Sequence, residues 1–121
     1  MVIGNRRIHP YALPNYERAE IPREKIEEYV LNPSHTVGKN KAIVFESALG
    51  LNQAHWAMLS RAILDELAYH EALLGRNDAH GQRYNVTLPV TGPNGKTAQV
   101  LTAWIIKSGR DYPSFVTAMV Q

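Results

Sequence analysis

The apolar residues of this chain change their spacing near residue 80, and this change restricts the folds that the chain can adopt. Before residue 80 they recur every three or four residues, as on one face of a helix. The longest such series is Trp56, Leu59, Ile63, Leu67 and Leu74. From residue 84 to residue 90, apolar and polar residues alternate, which is the spacing of a strand. The order predicts an α+β fold, in which about three N-terminal helices pack on a C-terminal antiparallel β-meander of three to four strands.

Start and stop signals predict three helices, over residues 22–31, 39–49 and 52–74. Pro22 suits the first helical position. Gly50 follows the second helix, where a glycine commonly ends a helix. Asn52 is a good N-cap for the third helix, and Gly75 stands where its C-terminal glycine is expected.

Three strands are expected over residues 84–90, 97–107 and 115–120, with turns at 91–95 and 108–111. A fourth strand, if the chain has one, is expected within residues 1–16. Pro89 cannot donate a backbone hydrogen bond, which favours an edge position for the first strand. Residues 1–20 contain Pro10 and Pro14 and are predicted to form an irregular arm, followed by a single domain over 21–121.

Composition excludes several classes of protein. The chain has no cysteine, which removes disulfides, thiolate metal sites and cysteine nucleophiles. No apolar run approaches the roughly 18–20 residues of a membrane-spanning helix. The basic pair Arg6-Arg7 is followed by no apolar stretch, unlike the start of a signal peptide. We therefore expect a cytoplasmic protein that does not associate with membranes.

The net charge of +2 is distributed unevenly along the chain. Residues 1–41 have seven Lys or Arg and five Asp or Glu, residues 42–81 two and five, and residues 82–121 four and one. The middle is therefore acidic and both ends are basic. A phosphate ligand is expected to meet the basic parts and avoid the long helix, although a solvated surface explains the same distribution.

The densest polar cluster is the stretch from His35 to Lys41. It combines an imidazole that can transfer a proton near neutral pH with the ammonium groups of Lys39 and Lys41. Amide groups at the start of the following helix favour anions. These are the components of a site that cleaves phosphodiesters. The alternative is a surface loop whose histidine bonds to the backbone.

A second cluster is predicted on the sheet. Alternation puts Thr102 and Trp104 on one face of their strand, and puts Phe115, Thr117 and Met119 on one face of the next. The two threonines could then pair across strands beside the indole and line a groove for a base and a phosphate, within reach of Arg83. The alternative is that Trp104 belongs to the core and that the threonines are simply good strand formers.

The five histidines raise the question of a metal site. Glu66 and His70 lie one helical turn apart, but no two histidines have metal-ligand spacing on a helix and no His-Glu-x-x-His pattern occurs. We expect neither a metal nor a cofactor.

The order of these signals resembles an uncharacterised bacterial domain family of about this size. The resemblance spans roughly residues 20–120. It rests on Ile21-Pro22, Lys25, Tyr29 to Pro33, His35-x-x-Gly38-x-x-Lys41-Ala42-x-x-Phe45, Gly50-Leu51, Trp56, Thr102-x-Trp104 and Phe115 to Ala118.

Members of that family look like toxins encoded beside a small partner gene, or like toxin tips on larger bacterial and phage proteins. Their element order resembles the barnase, EndoU, colicin and RelE group of ribonucleases. The resemblance implies a metal-independent endoribonuclease toxin with an RNA substrate and a small cognate antitoxin. His35 would be the general acid/base and Lys41 would stabilise the phosphate charge. Thr102 and Thr117 would position phosphate oxygens, and Lys39, Arg83 and Trp104 would bind the substrate.

Two other functions fit the same residues. A non-catalytic binding module, such as a phage or mobile-element protein, would hold a nucleotide or a host protein without using the proton of His35. A structural or antitoxin-like domain would bind its partner through an apolar patch. The sequence leaves the oligomeric state open, a homodimer included.

Overall fold

The computed structural model of the protein describes residues 6–121. A short 3₁₀ turn at Tyr16–Arg18 precedes a π-helical segment at Lys25–Val30. Helices α1 (Lys39–Leu49) and α2 (Trp56–Glu66) follow, and 3₁₀ turns at Gln53–His55 and Leu67–Tyr69 flank α2. Four strands complete the chain: β1 (Ala72–Asp78), β2 (Gly81–Thr91), β3 (Thr97–Lys107) and β4 (Ser114–Val120).

The second predicted helix is confirmed over its full length as α1. Gly50 adopts a left-handed conformation with φ of 74°, and its N–H donates to the carbonyls of Glu46 and Phe45, which satisfies the end of the helix. Asn52 is an N-cap, but of the 3₁₀ turn Gln53–His55 that leads into α2 rather than of α2 itself. Its side chain accepts from the Ala54 amide, and its own amide donates to His55 Nδ1. The first helix is shorter than predicted, because the π-helical segment occupies only Lys25–Val30.

The third predicted helix is too long. Helical structure ends at Tyr69, and the residues that we assigned to its last turn form β1. The prediction was wrong because Leu74 continues the helical spacing of Leu67, although it is exposed on this outer strand, where burial does not alternate. Gly75 consequently lies inside β1 rather than after a helix. The fourth strand is therefore β1, and none lies in the described part of the arm.

The sheet is an antiparallel meander in the order β1-β2-β3-β4, which confirms the α+β arrangement. One face packs against the helices around Trp104 and Phe115, whose rings meet edge to face with centroids 5.5 Å apart. β2 is not an edge strand, but its pairing with β1 ends at Val86. Pro89 therefore lies where β2 has β3 as its one strand neighbour, which explains why a proline is tolerated there.

A β-bulge in β4 determines which side chains reach the other face of the sheet, which we call the outer face. Ala103 pairs with Thr117 and Trp104 pairs with Phe115, so Val116 is an extra residue. Phe115 and Ala118 belong to the core, and the two residues between them face outward. The prediction that Phe115 and Thr117 share a face is therefore wrong.

The arm is attached to the domain by backbone hydrogen bonds. The His9 amide donates to the Ala68 carbonyl at 2.8 Å, and the Ala72 amide donates to the Tyr11 carbonyl at 2.8 Å. Glu20 forms a parallel bridge with Ser114 at the start of β4. These bonds bring the chain to the edge of β4, beside which the π-helical segment packs.

Candidate functional site

Tyr29 is the centre of the most unusual polar cluster that the structure describes. Lys41 Nζ donates a hydrogen bond to Tyr29 Oη at 2.8 Å and lies 4.9 Å from the ring centroid. This bond is the largest influence on Tyr29 and lowers the pKa of its hydroxyl, with the Thr117 hydroxyl acting in the same direction. Partial burial acts in the opposite direction, because it disfavours the phenolate.

Close packing at Gly38 allows the π-helical segment to lie against the start of α1. A Cβ atom at this position would lie 2.5 Å from the Tyr29 carbonyl oxygen and 2.9 Å from its Cδ1 atom. Only a glycine permits this approach. Lys41, one turn into α1, is thereby brought next to a tyrosine that is twelve residues away in sequence.

His35 is oriented by its own loop. Its Nδ1 atom accepts hydrogen bonds from the amides of Val37 and Gly38, both at 3.0 Å. Its ring meets Tyr29 edge to face, with centroids 4.9 Å apart. Since Nδ1 is an acceptor, the neutral ring has its proton on Nε2. His35 can therefore donate a hydrogen bond to a ligand, and its backbone bonding matches the alternative that the sequence left open.

Thr117 completes the cluster from the sheet. The bulge in β4 turns it to the outer face, where its hydroxyl lies close enough to lower the pKa of Tyr29. The Thr117 Oγ1 atom is buried and makes no hydrogen bond of good geometry with the residues described. Buried hydroxyls are rarely left unpaired, and the hydroxyl that this one acts on is that of Tyr29.

Two neighbouring clefts lie along the outer face. The Tyr29 cleft has a volume of about 340 Å³ and is lined by Glu24, Lys25, Glu28, Tyr29, His35 and Val116. The Arg83 cleft is larger, at about 560 Å³, and its lining includes Lys25, Arg83, Lys107 and Val116. Lys25 and Val116 line both clefts, so the clefts are adjacent, and we call the pair the trough.

Thr102 and Trp104 lie on the opposite face of the sheet, fully buried in the core. Thr102 Oγ1 donates to the Val86 carbonyl at 2.7 Å and accepts from Trp104 Nε1 at 2.8 Å. The predicted pairing of Thr102 with Thr117 is wrong, since Thr102 pairs with Ala118. Neither Thr102 nor Trp104 reaches the trough, so neither can contact a ligand there.

Of the remaining predicted residues, Arg83 lines the larger cleft and Lys39 lines neither cleft. Lys39 is exposed at the start of α1, where its amide donates to the His35 carbonyl at 3.0 Å. Arg83 lies in β2 opposite Ile105, and its buried Nε atom has no partner among residues 6–121. The structure thus brings His35, Lys41 and Thr117 around one residue, with Arg83 in the adjoining cleft.

Tyr29 itself was missed as a functional residue. Its spacing from Ile26 indicated a buried helical face, and Ile26 is indeed in the core. Tyr29 differs because it is only partly buried, beside the outer face. The signal that could have identified Tyr29 is its position in the sequence shortly before the His35–Lys41 stretch.

The described part of the chain, residues 6–121, has no group of three or more His, Asp or Glu side chains arranged to hold a metal ion. Within the same residues, no helix is long and apolar enough to cross a membrane.

The chain matches a family model and is similar in fold to a solved structure. Residues 12–121 match the family described as a domain of unknown function, DUF6883. No curated protein matches the chain. Among solved structures, the fold is similar to a chain from a contact-dependent growth inhibition toxin–immunity protein complex of Klebsiella pneumoniae 342. The TM-score is 0.65 at 15% sequence identity, over 88% of this chain and 97% of that chain.

Proposed function

The chain belongs to the DUF6883 family, and we propose that it is a bacterial toxin that cleaves RNA without a metal ion and is neutralised by a cognate protein. The observation that carries this proposal is Tyr29, held between Lys41 and Thr117 beside His35 in an accessible cleft. The fold of a chain in a toxin–immunity protein complex supports it. The site would act in the cytoplasm, where RNA is found.

The proposed reaction is an intramolecular transesterification. The 2′-hydroxyl of a ribose attacks the adjacent phosphorus, the bond to the 5′-oxygen breaks, and a 2′,3′-cyclic phosphate forms. The leaving oxygen needs a proton, and the pentavalent phosphate needs hydrogen-bond donors. The proton of the 2′-hydroxyl passes to water.

Tyr29 is suited to protonate the leaving oxygen. A lysine ammonium group has no lone pair, so Tyr29 Oη must be the acceptor in its bond with Lys41 and keeps its own hydrogen free. After the transfer, the phenolate is stabilised by the ammonium group at 2.8 Å. The lowered pKa of Tyr29 has the same cause. Water then returns the proton.

His35 and Lys41 would stabilise the phosphate. His35 Nε2–H is the donor that faces a ligand, because protonation at Nδ1 would break two amide hydrogen bonds. We therefore assign the acid step to Tyr29 rather than to His35. Thr117 would position Tyr29, and Lys39 would attract the substrate from the rim of the site.

The experiment compares wild type, Tyr29→Phe and the matched control Tyr11→Phe, which removes the hydroxyl of an exposed tyrosine in the arm. Wild type and control should arrest growth when expressed, and both should cleave RNA with EDTA present, leaving cyclic phosphate ends. Tyr29→Phe should lower the cleavage rate by about 10²–10⁴-fold, which is the range for general acid catalysis. RNA that stays intact with purified wild type at any concentration would refute the proposal.

A second candidate is a non-catalytic binding module, either a nucleotide binder or the immunity partner itself. The engaged Nδ1 atom of His35 favours it, because such a histidine binds well without transferring protons. The solved complex contains both a toxin and an immunity protein, so its fold alone does not choose between them. Protection of cells from a related toxin, without growth arrest, is the result that would favour this candidate.

A further inference from the structure

The Arg83 cleft has the chemistry of an anion site although the reaction proposed above does not use it. Its floor is formed by Ile105 and Val116, and cationic side chains surround them. Lys25 enters from the π-helical segment, Arg83 from β2 and Lys107 from β3. Three separate elements therefore bring positive charge to one concave surface.

These cations are not neutralised within the described chain. Among residues 6–121, none of Lys25, Arg83 and Lys107 forms an ion pair, and no carboxylate lines the cleft. Asp78 is the nearby acid on which Arg83 acts electrostatically. Its carboxylate already pairs with Arg76 at 2.9 Å and accepts from the His80 amide at 2.9 Å.

Arg83 is the side chain of this cleft best suited to an anion. It is partly exposed, its Nε atom is enclosed by protein, and no hydrogen bond or ion pair within residues 6–121 engages its guanidinium group. A phosphate oxygen is the partner that best matches a guanidinium in geometry and charge. The apolar floor beside it would accommodate the ribose or the base attached to that phosphate.

We propose that the Arg83 cleft binds a phosphodiester of single-stranded RNA, one end of which continues into the Tyr29 cleft. Lys25 lines both clefts and would contact the chain where it passes from one to the other. That the ligand is RNA rests on the proposed function. Because the ligand would span both clefts, the substrate is an oligonucleotide rather than a mononucleotide.

The test measures binding without cleavage. A fluorescently labelled 2′-O-methyl RNA octamer cannot undergo the reaction, and its affinity is followed by anisotropy over a range of salt concentrations. Each phosphate contact on a single strand contributes about 0.7 to the slope of log K against log salt. Lys107→Gln should reduce the slope by about 0.7, and adding Arg83→Gln should reduce it by about 1.4 in total.

The matched controls are Lys96→Gln, in the turn between β2 and β3, and Arg61→Gln, on the exposed face of α2. Both should leave the slope unchanged, and thermal unfolding shows that each variant is folded. An unchanged slope in the Arg83 and Lys107 variants would overturn the inference, as would failure of wild type to bind the octamer. A reduced slope with no RNA cleavage by wild type would retain the phosphate site and reject the ribonuclease.

Discussion

Thr102 illustrates how the structure separates a structural threonine from a functional one. The change Thr102→Val preserves shape and removes a hydroxyl that holds two groups in the core. Trp104 Nε1 is then a buried donor without a partner, which costs about 1–3 kcal/mol. The Val86 carbonyl loses one hydrogen bond, worth about 0.5–1.5 kcal/mol. The free energy of unfolding should fall by about 1.5–4.5 kcal/mol, a large part of the stability of a small domain.

Urea denaturation measures this loss as a lower midpoint at an unchanged slope. The matched control is Thr117→Val, the same chemical change on the outer face, where the hydroxyl has no well-formed hydrogen bond. Thr117→Val should alter stability by less than about 1 kcal/mol and should reduce RNA cleavage, because it acts on Tyr29. Thr102→Val should cleave RNA at the wild-type rate under conditions in which it is folded.

Either of two results would contradict this reasoning. A wild-type urea midpoint for Thr102→Val would mean that the indole finds another partner and that the buried hydrogen bonds are not needed. Loss of cleavage by folded Thr102→Val, with cleavage retained by Thr117→Val, would place the wrong threonine at the site.

Two further predictions concern the ion pair between Arg6 and Glu66 and the packing at Gly38. The hydrogen bond from Arg6, followed by that from His70, lowers the pKa of Glu66 to about 2, so its contribution is present above about pH 4.5 and is lost as pH falls towards 2. Glu66→Gln should therefore lower the free energy of unfolding by about 1–2 kcal/mol at pH 6, a modest loss because solvent screens the exposed arginine. Near pH 2 the loss should be much smaller. Equal losses in urea denaturation at both pH values would contradict this prediction. Gly38→Ala should displace Tyr29, which should lower the free energy of unfolding by about 1–3 kcal/mol and shift the ultraviolet titration of the tyrosine. An unchanged titration together with unchanged RNA cleavage would show that the close contact is not needed.

The parts of the fold that were predictable depend on local signals. Helix α1 was correct at both ends because Gly50 needs a left-handed conformation and the apolar spacing is regular. β1 was not predictable, because Leu74 continues the helical spacing of the preceding residues, and both it and Leu73 are exposed. Its pairing with β2 is a tertiary interaction that no local pattern encodes.

The site was predictable only where its residues are close in sequence. His35 and Lys41 lie within one loop and the first turn of the next helix, so their proximity followed from the sequence. Tyr29 reaches Lys41 because of the packing at Gly38, which depends on the positions of two separate elements. The division of Thr102 and Thr117 between faces depends on one extra residue in β4, and alternation assigns faces correctly only where a strand has no bulge.

That extra residue also explains why the two clefts form one trough. In a regular strand, Val116 and Thr117 would point to opposite faces, so only one of them would lie on the outer face. The bulge keeps both outside, so that Thr117 acts on Tyr29 while Val116 lines both clefts. Bulges are common beside active sites for this reason. A single irregularity in an edge strand therefore places the proton donor proposed at Tyr29 beside the phosphate site proposed at Arg83. The positive charge is concentrated in the Arg83 cleft, because Glu24 and Glu28 line the Tyr29 cleft, so we expect the Arg83 cleft to supply most of the attraction for phosphate.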